Sequence, residues 1–147
     1  MPLQFSVFNT NHPHYVQSLA LRERILRLPL GRILNQQDLA DESTHTHFAL
    51  FDEHQIIACL ILRPISDQIV KLRQMAVAQP YQSQGMGRKL IANAEQWACS
   101  QHYQHIHTDA RLTAQGFYAS LGYQPQGEPF EHIGITHIAM AKPITTS

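Results

Sequence analysis

Charge is scarce in this chain. Of 147 residues, 11 are Lys or Arg and 11 are Asp or Glu, so the formal net charge is zero with neutral histidines, and the pI is near 7.2. A balanced, thinly charged surface has no general electrostatic attraction to DNA, RNA or anionic membrane, and neither is expected as a partner. Long apolar runs are missing as well. The longest, such as residues 56–62, fall far short of the roughly 18 residues that cross a bilayer. The start, Met1-Pro2-Leu3-Gln4-Phe5, has no basic segment followed by a long apolar one. These absences predict a soluble, unexported, cytoplasmic protein. Cysteine is nearly absent too: Cys59 and Cys99 each lie in an apolar pattern and outside any CxxC pair. Neither a disulfide framework nor a thiolate zinc site is indicated, and both read as buried thiols in a reducing compartment.

What is present suffices for one core. Hydrophobic residues make up 44% of the chain, and no repeat or linker divides it, so residues 1–147 read as a single domain. The ten histidines are the unusual count. Several form His-x-His pairs: His12 and His14, His45 and His47, His105 and His107. On a strand such a pair points to one face. No HExxH motif accompanies them and no cysteine completes a zinc set, so they are expected to be solvated or hydrogen-bonded and no metal is expected.

Periodicity gives the element order. Pro13 follows Asn11-His12 as a cap and first turn, and Tyr15, Leu19, Arg22, Ile25 and Leu26 recur near helical spacing, ending near Pro29-Leu30-Gly31. Residues 45–51 and 55–62 read as a β-hairpin across the turn Asp52-Glu53-His54. A third strand over residues 68–77 is expected to place Lys71, Arg73, Met75 and Val77 on one face and Leu72, Gln74 and Ala76 on the other. After Gly85 and Gly87, the stripe Leu90, Ile91, Ala94, Trp97 and Ala98 marks the clearest helix. A strand over residues 105–109, a helix over 113–121, and strands near Tyr123 and over 135–140 follow. The order βαβββαβαβ implies an α/β or α+β sheet protein.

Between the third strand and that helix stands Gln82-Ser83-Gln84-Gly85-Met86-Gly87, followed by Arg88-Lys89. Glycines let backbone N–H groups turn inward, and the helix start adds partial positive charge, so the turn suits phosphate. It is neither a P-loop, which needs Gly-Lys-Ser/Thr, nor GxGxxG.

These residues resemble the acetyl-CoA loop of the GNAT N-acetyltransferases: Gln-x-x-Gly-x-Gly after a strand Leu72-Arg73-Gln74-Met75-Ala76-Val77 and before an amphipathic helix. The later Phe117-Tyr118-Ala119-Ser120-Leu121-Gly122-Tyr123 matches that superfamily's second signature, FYxxxGF/Y. Leu21-Arg22-Glu23-Arg24-Ile25-Leu26 and Gly134-Ile135-Thr136-His137-Ile138-Ala139-Met140 are similar to the branch holding the ElaA-like proteins and glyphosate N-acetyltransferase.

The resemblance implies a single-domain fold with a mixed, mostly antiparallel sheet splayed at the donor site. Met75, Ala76 and Val77 would pair with pantetheine; Gln82, Ser83, Gln84, Gly85, Met86, Gly87 and Arg88 would hold the pyrophosphate, with both glycines required by close approach and no metal. Tyr118 matches the tyrosine that protonates the departing thiolate. The splayed strand lacks the carboxylate many relatives use as base, and His137 stands at the place of the histidine base in the glyphosate branch. Arg22, Arg73 and Arg111 correspond to that branch's anion-binding arginines, implying a small acidic amine as acceptor. Residues 30–42 are expected to cover the acceptor pocket, and the protein to be a monomer or homodimer. A protein, peptide or polyamine acceptor, and a non-catalytic acyl-CoA-binding module, stand as the alternatives.

Overall fold

In the computed structural model residues 2–144 are described; Met1 and residues 145–147, which the expected domain includes, lie outside the described residues. Eight strands form one sheet: β1 (Leu3–Phe8), β2 (Thr46–Asp52), β3 (Gln55–Pro64), β4 (Ile69–Val77), β5 (His105–Arg111), β6 (Gln124–Pro125), β7 (Phe130–His132) and β8 (Ile135–Pro143). Their spatial order is β1-β2-β3-β4-β5-β8-β6, with β7 paired to β8. Only β4 and β5 run parallel. The helices are α1 (His14–Arg22), α2 (Met86–Ser100) and α3 (Gln115–Ser120). The expected α/β fold with a mixed, mostly antiparallel sheet is therefore present. Among the described residues no helix is long and apolar enough to cross a membrane.

Strand alternation builds two cores, one on each face. Phe48, Leu50, Leu60 and Leu72 pack with Leu90, Ile91, Ala94 and Ala98 of α2, whose buried stripe is the one read from spacing. On the other face Ala49, Phe51, Cys59 and Ala76 pack with Leu21 of α1. Cys59 is buried there, and loss of solvation pushes its thiol up to about 12. Cys99 is half-buried at the edge of α2, not buried as expected, because its position lies off the inward stripe.

The third strand departs from simple alternation in a way that shapes the site. Cys59 pairs with Ala76 but Ile61 pairs with Arg73, so two residues of β4, Gln74 and Met75, stand opposite Leu60 alone. Gln74 takes φ +55 at this bulge, a conformation non-glycine residues seldom adopt and one that re-aims the strand. Leu72 belongs to the α2-side core, whereas Ala76 belongs to the α1-side core and Met75 and Val77 pack toward α2. Lys71 and Arg73 therefore do not share a face with Met75 and Val77. The bulge flips the register between them.

Pairing also ends early on the other edge of β4. Its parallel ladder with β5 runs from Ile69–His105 to Leu72–Thr108 and stops. Arg73, Ala76 and Val77 keep their β3 partners, but among the described residues 73–77 have none on the β5 side, while β5 continues against β8 to the Arg111–His137 pair. The sheet is split there, as the expected splay requires.

Candidate active site

The split leads into the loop. A 3₁₀ turn over Gln79–Tyr81 follows Ala78, and α2 begins at Met86 behind Gly85, which takes φ +83. The loop is tied down by its own glutamines: Gln82 Nε2 donates to the Val77 carbonyl at 2.9 Å, and Gln84 Nε2 to that of Pro80 at 2.9 Å. Among the described residues no side chain caps the start of α2, so its first N–H groups remain available to an anion. The two glycines serve different ends. Nothing stands within 4 Å of a Cβ at Gly85, where the backbone conformation is the constraint; a Cβ at Gly87 would lie 2.9 Å from Met75 Cε and 3.7 Å from Phe117 and Val77. Gly87 thus lets the helix close onto the splayed strand. Met86 is buried in the core and offers only its backbone. Arg88 is exposed and reaches α3, its Nη2 donating to Ser120 Oγ at 3.1 Å; Ser83, at φ +63, completes the exposed turn.

A cavity of about 510 Å³ opens where the sheet splits, and Arg73, Met75, Arg111, Tyr118 and His137 all line it. Tyr118 comes from α3 and is 6% exposed; burial pushes its hydroxyl up to about 12, against the pull of a hydrogen bond with Thr108. His137 sits on β8, opposite Arg111 of β5 and Phe130 of β7. Its ring stacks on Phe130 at 5.9 Å and meets the edge of His132 at 5.7 Å. Its Nδ1 lies 2.8 Å from the Ile135 carbonyl oxygen. A carbonyl only accepts, so Nδ1 carries a proton, and in the neutral imidazole the lone pair is on Nε2.

Cations dominate the lining. Besides Arg73 and Arg111 it holds Arg27, Arg63 and Lys71, against the single carboxylate of Asp109, which pairs with Lys71 at 2.6 Å. Among the described residues Arg63, Arg73 and Arg111 have no ion-pair partner. Burial and then repulsion from Arg63 pull the Arg73 guanidinium below its ordinary range.

Two expectations need correction. Arg22 does not join Arg73 and Arg111 at the cavity; it is fully buried on the α1 side, where Glu42 takes its guanidinium. Residues 30–42 do not line the cavity either. They fold over the α1 side, with Leu34 N–H on Glu23 and Glu42 turned inward. Conversely, spacing did not reveal Arg27, Arg63 or His132. Arg63 follows the apolar run of β3 and Arg27 the helical stripe, so each reads as a terminal charged residue; His132 lies in β7, too short to register as a strand.

Two of the three histidine pairs are engaged in packing. The rings of His12 and His14 lie 4.3 Å apart, and His45 and His47 are buried. Among the described residues no group of three or more His, Cys, Asp or Glu is placed to hold a metal.

Comparison with known proteins now bears on this arrangement. The Acetyltransferase (GNAT) domain family matches residues 29–144. An uncharacterised N-acetyltransferase of Bacillus subtilis, YitI, is 32% identical over 136 residues, covering 86% of this chain and 90% of its own. A solved structure from Lactobacillus plantarum superposes with a TM-score of 0.89 at 23% identity, covering 98% of this chain and 99% of its own. Escherichia coli ElaA superposes at 0.83 and 19% identity, covering 95% and 99%. The two structural likenesses show the fold and do not single out a branch. With most of the chain matched by the family and a relative of similar length at this identity, the split sheet and its glycine loop are those of an N-acetyltransferase, and the chain belongs to the GNAT family.

Proposed function

We propose that this enzyme acetylates the amine of a small anionic acceptor, amino-acid-like in carrying an acid group, with His137 as general base and Tyr118 as general acid. The observation that carries this reading is the cavity itself. It brings an imidazole with a free Nε2, a protonated phenol, and the unpaired guanidiniums of Arg73 and Arg111 to one space. Acetyl-CoA supplies the acetyl group as a thioester. The residues at hand fit it: the unpaired edge of Met75, Ala76 and Val77 offers backbone groups to an extended chain, and the uncapped start of α2 offers N–H groups to phosphates. Arg88, exposed beside that helix start, adds charge there.

His137 then accepts the proton of the acceptor amine at Nε2, and Tyr118 holds a proton for the thiolate that acyl transfer releases. Arg73 and Arg111 orient the acceptor through its acid group, each guanidinium presenting a fork of donors to a carboxylate or phosphonate. A polyamine would meet repulsion in the same space, since the lining holds more cations than carboxylates.

The test is a thiol-release assay with acetyl-CoA against acidic, neutral and cationic amines, from about pH 6 to 9, on wild type and His137→Ala. Turnover confined to acidic amines, with kcat falling by roughly 10² to 10⁴ in the variant, is the expected result. Turnover on cationic amines, or undiminished turnover in His137→Ala, overturns it.

A further inference from the structure

The first helix does not keep one register to its end. At Arg22 α1 passes into a π-helical turn, Glu23–Arg27. Hydrogen bonds from i to i+5 bring residues five apart over one another, where an α-helix would turn them to different sides. Arg22 and Arg27 are five apart, and both point inward, at 0% and 5% exposed. Turns of this kind recur at functional sites.

Their surroundings differ. Both Nη groups of Arg22 are engaged by Glu42. Arg27 lines the cavity beside Leu26, and its nearest carboxylate, Asp38 Oδ1, is 3.6 Å from Nη2, beyond hydrogen-bond length. Its Nη1 makes only a long contact of 3.3 Å with the Leu26 carbonyl. Asp38 meanwhile serves its own turn: Asn35 N–H donates to Asp38 Oδ2 at 3.1 Å, and Asp38 N–H to Asn35 Oδ1 at 2.9 Å. A nearly buried guanidinium with a loose counter-ion therefore opens on the cavity.

We propose that Arg27 is a specificity-determining residue that binds an acidic group of the acceptor, the group taking the place of Asp38 beside the guanidinium. This rests on the reading of the enzyme as an acetyltransferase of anionic amines, and identifies a residue that selects them. Asp38 keeps the empty site from holding a bare buried charge. An incoming carboxylate or phosphonate forms short paired bonds of about 2.7–2.9 Å, which a 3.6 Å contact cannot match. A neutral or cationic amine has nothing to exchange for Asp38 and gains nothing from Arg27.

Steady-state kinetics with acetyl-CoA and two acidic amines, aspartate and O-phosphoserine, on wild type, Arg27→Ala, Asp38→Asn and the double variant test this, with calorimetric binding of both amines alongside. Arg27→Ala is expected to raise the acceptor KM and Kd at least about tenfold, the loss of a hydrogen bond between charged groups, leaving the acetyl-CoA KM unchanged. Asp38→Asn, which keeps an oxygen for Asn35 N–H, is expected to lower the acceptor KM by about two- to fivefold. In the Arg27→Ala background it is expected to change nothing. A merely structural Asp38 would raise the KM when altered, so a raised or unchanged value in Asp38→Asn overturns the proposal, as does an unchanged value in Arg27→Ala. Wild-type turnover limited to cationic or neutral amines, or no binding of either acidic amine, overturns the anionic-acceptor reading as well; turnover of acidic amines indifferent to Arg27 overturns only the role of Arg27.

Discussion

Arg22 and Glu42 meet fork to fork in the interior: Nη1 donates to Oε1 at 2.8 Å and Nη2 to Oε2 at 2.6 Å, with both side chains 1% exposed. Tyr15 donates its hydroxyl to the same Oε1 at 2.8 Å, and His47 Nε2 lies 3.1 Å from the Glu42 backbone carbonyl. Burial opposes ionisation of Glu42, but the Arg22 and Tyr15 hydrogen bonds outweigh it and hold the carboxyl below its ordinary range. The pair fastens the end of the 31–42 segment to α1. It also removes from the cavity the arginine that the family likeness placed there.

Breaking this pair leaves a charge buried without its partner. Glu42→Gln is expected to cost about 3–5 kcal/mol of stability, read as a lower midpoint in urea unfolding. Replacing Arg22 and Glu42 together by Met and Leu recovers most of that loss. An unchanged midpoint in Glu42→Gln would show that the charge is screened and the pair is not a fastening.

Arg22 shows where legibility in the sequence stops. Its place on the inward stripe of the first helix was readable from the spacing of Tyr15, Leu19 and Leu26, and so was its type. That a carboxylate 20 positions away would take it was not, because residues 31–42 have no period to follow. The π turn has no pattern signature either, so Arg27 stayed hidden although it lies only five residues on. The bulge at Gln74 escaped for a related reason: period-two alternation assumes an unbroken register, and a single extra residue reverses every face after it. By contrast the glycine loop, α2 and the tyrosine of α3 were readable, since each depends on local chemistry within a few residues.

Gly87 makes the packing of α2 on the splayed strand sensitive to one carbon. A Cβ there would sit 2.9 Å from Met75 Cε, the free end of a flexible side chain that also lines the cavity. Gly87→Ala is expected to destabilise by about 1 kcal/mol as Met75 shifts, and Gly87→Val by more. Adding Met75→Ala to Gly87→Ala makes room for the new methyl, so the two substitutions together cost less than the sum of their separate costs in thermal or urea unfolding. Strict additivity would place the constraint on Gly87 elsewhere.

Tyr118 keeps its proton well into alkali. Burial raises its hydroxyl to about 12, so the protonated form persists across the range where an ordinary phenol, near 10, begins to ionise. The pH–rate profile is therefore expected to show no alkaline fall from Tyr118 below about pH 11. Tyr118→Phe keeps the packing and removes the proton, and should lower kcat by about ten- to a hundredfold at every pH with the acceptor KM little changed. An alkaline limb near pH 10 that disappears in Tyr118→Phe would show that the hydroxyl is far more solvated than its burial implies.

Two buried histidines are expected to weaken the fold as pH falls below neutral. His45 and His47 are buried, and loss of solvation holds both below their ordinary value of 6.5. Arg73 adds repulsion at His45, whose Nδ1 has no hydrogen-bond partner among the described residues; the contact with the Glu42 carbonyl only partly offsets burial at His47. Below about pH 6.5 the unfolded chain takes up protons at these positions while the folded chain resists, so stability present at neutral pH falls as pH drops through the folded-state values. The limiting slope is about 1.4 kcal/mol per pH unit for each proton taken up on unfolding. Glu42 acts in the same direction but only below its ordinary 4.5. Urea midpoints measured between about pH 7 and 5 should therefore decline in wild type and decline less in His45→Gln/His47→Gln, with a remainder from His14 and His132, which are also held low. Equal slopes in the two proteins would mean that neither imidazole is withheld from water.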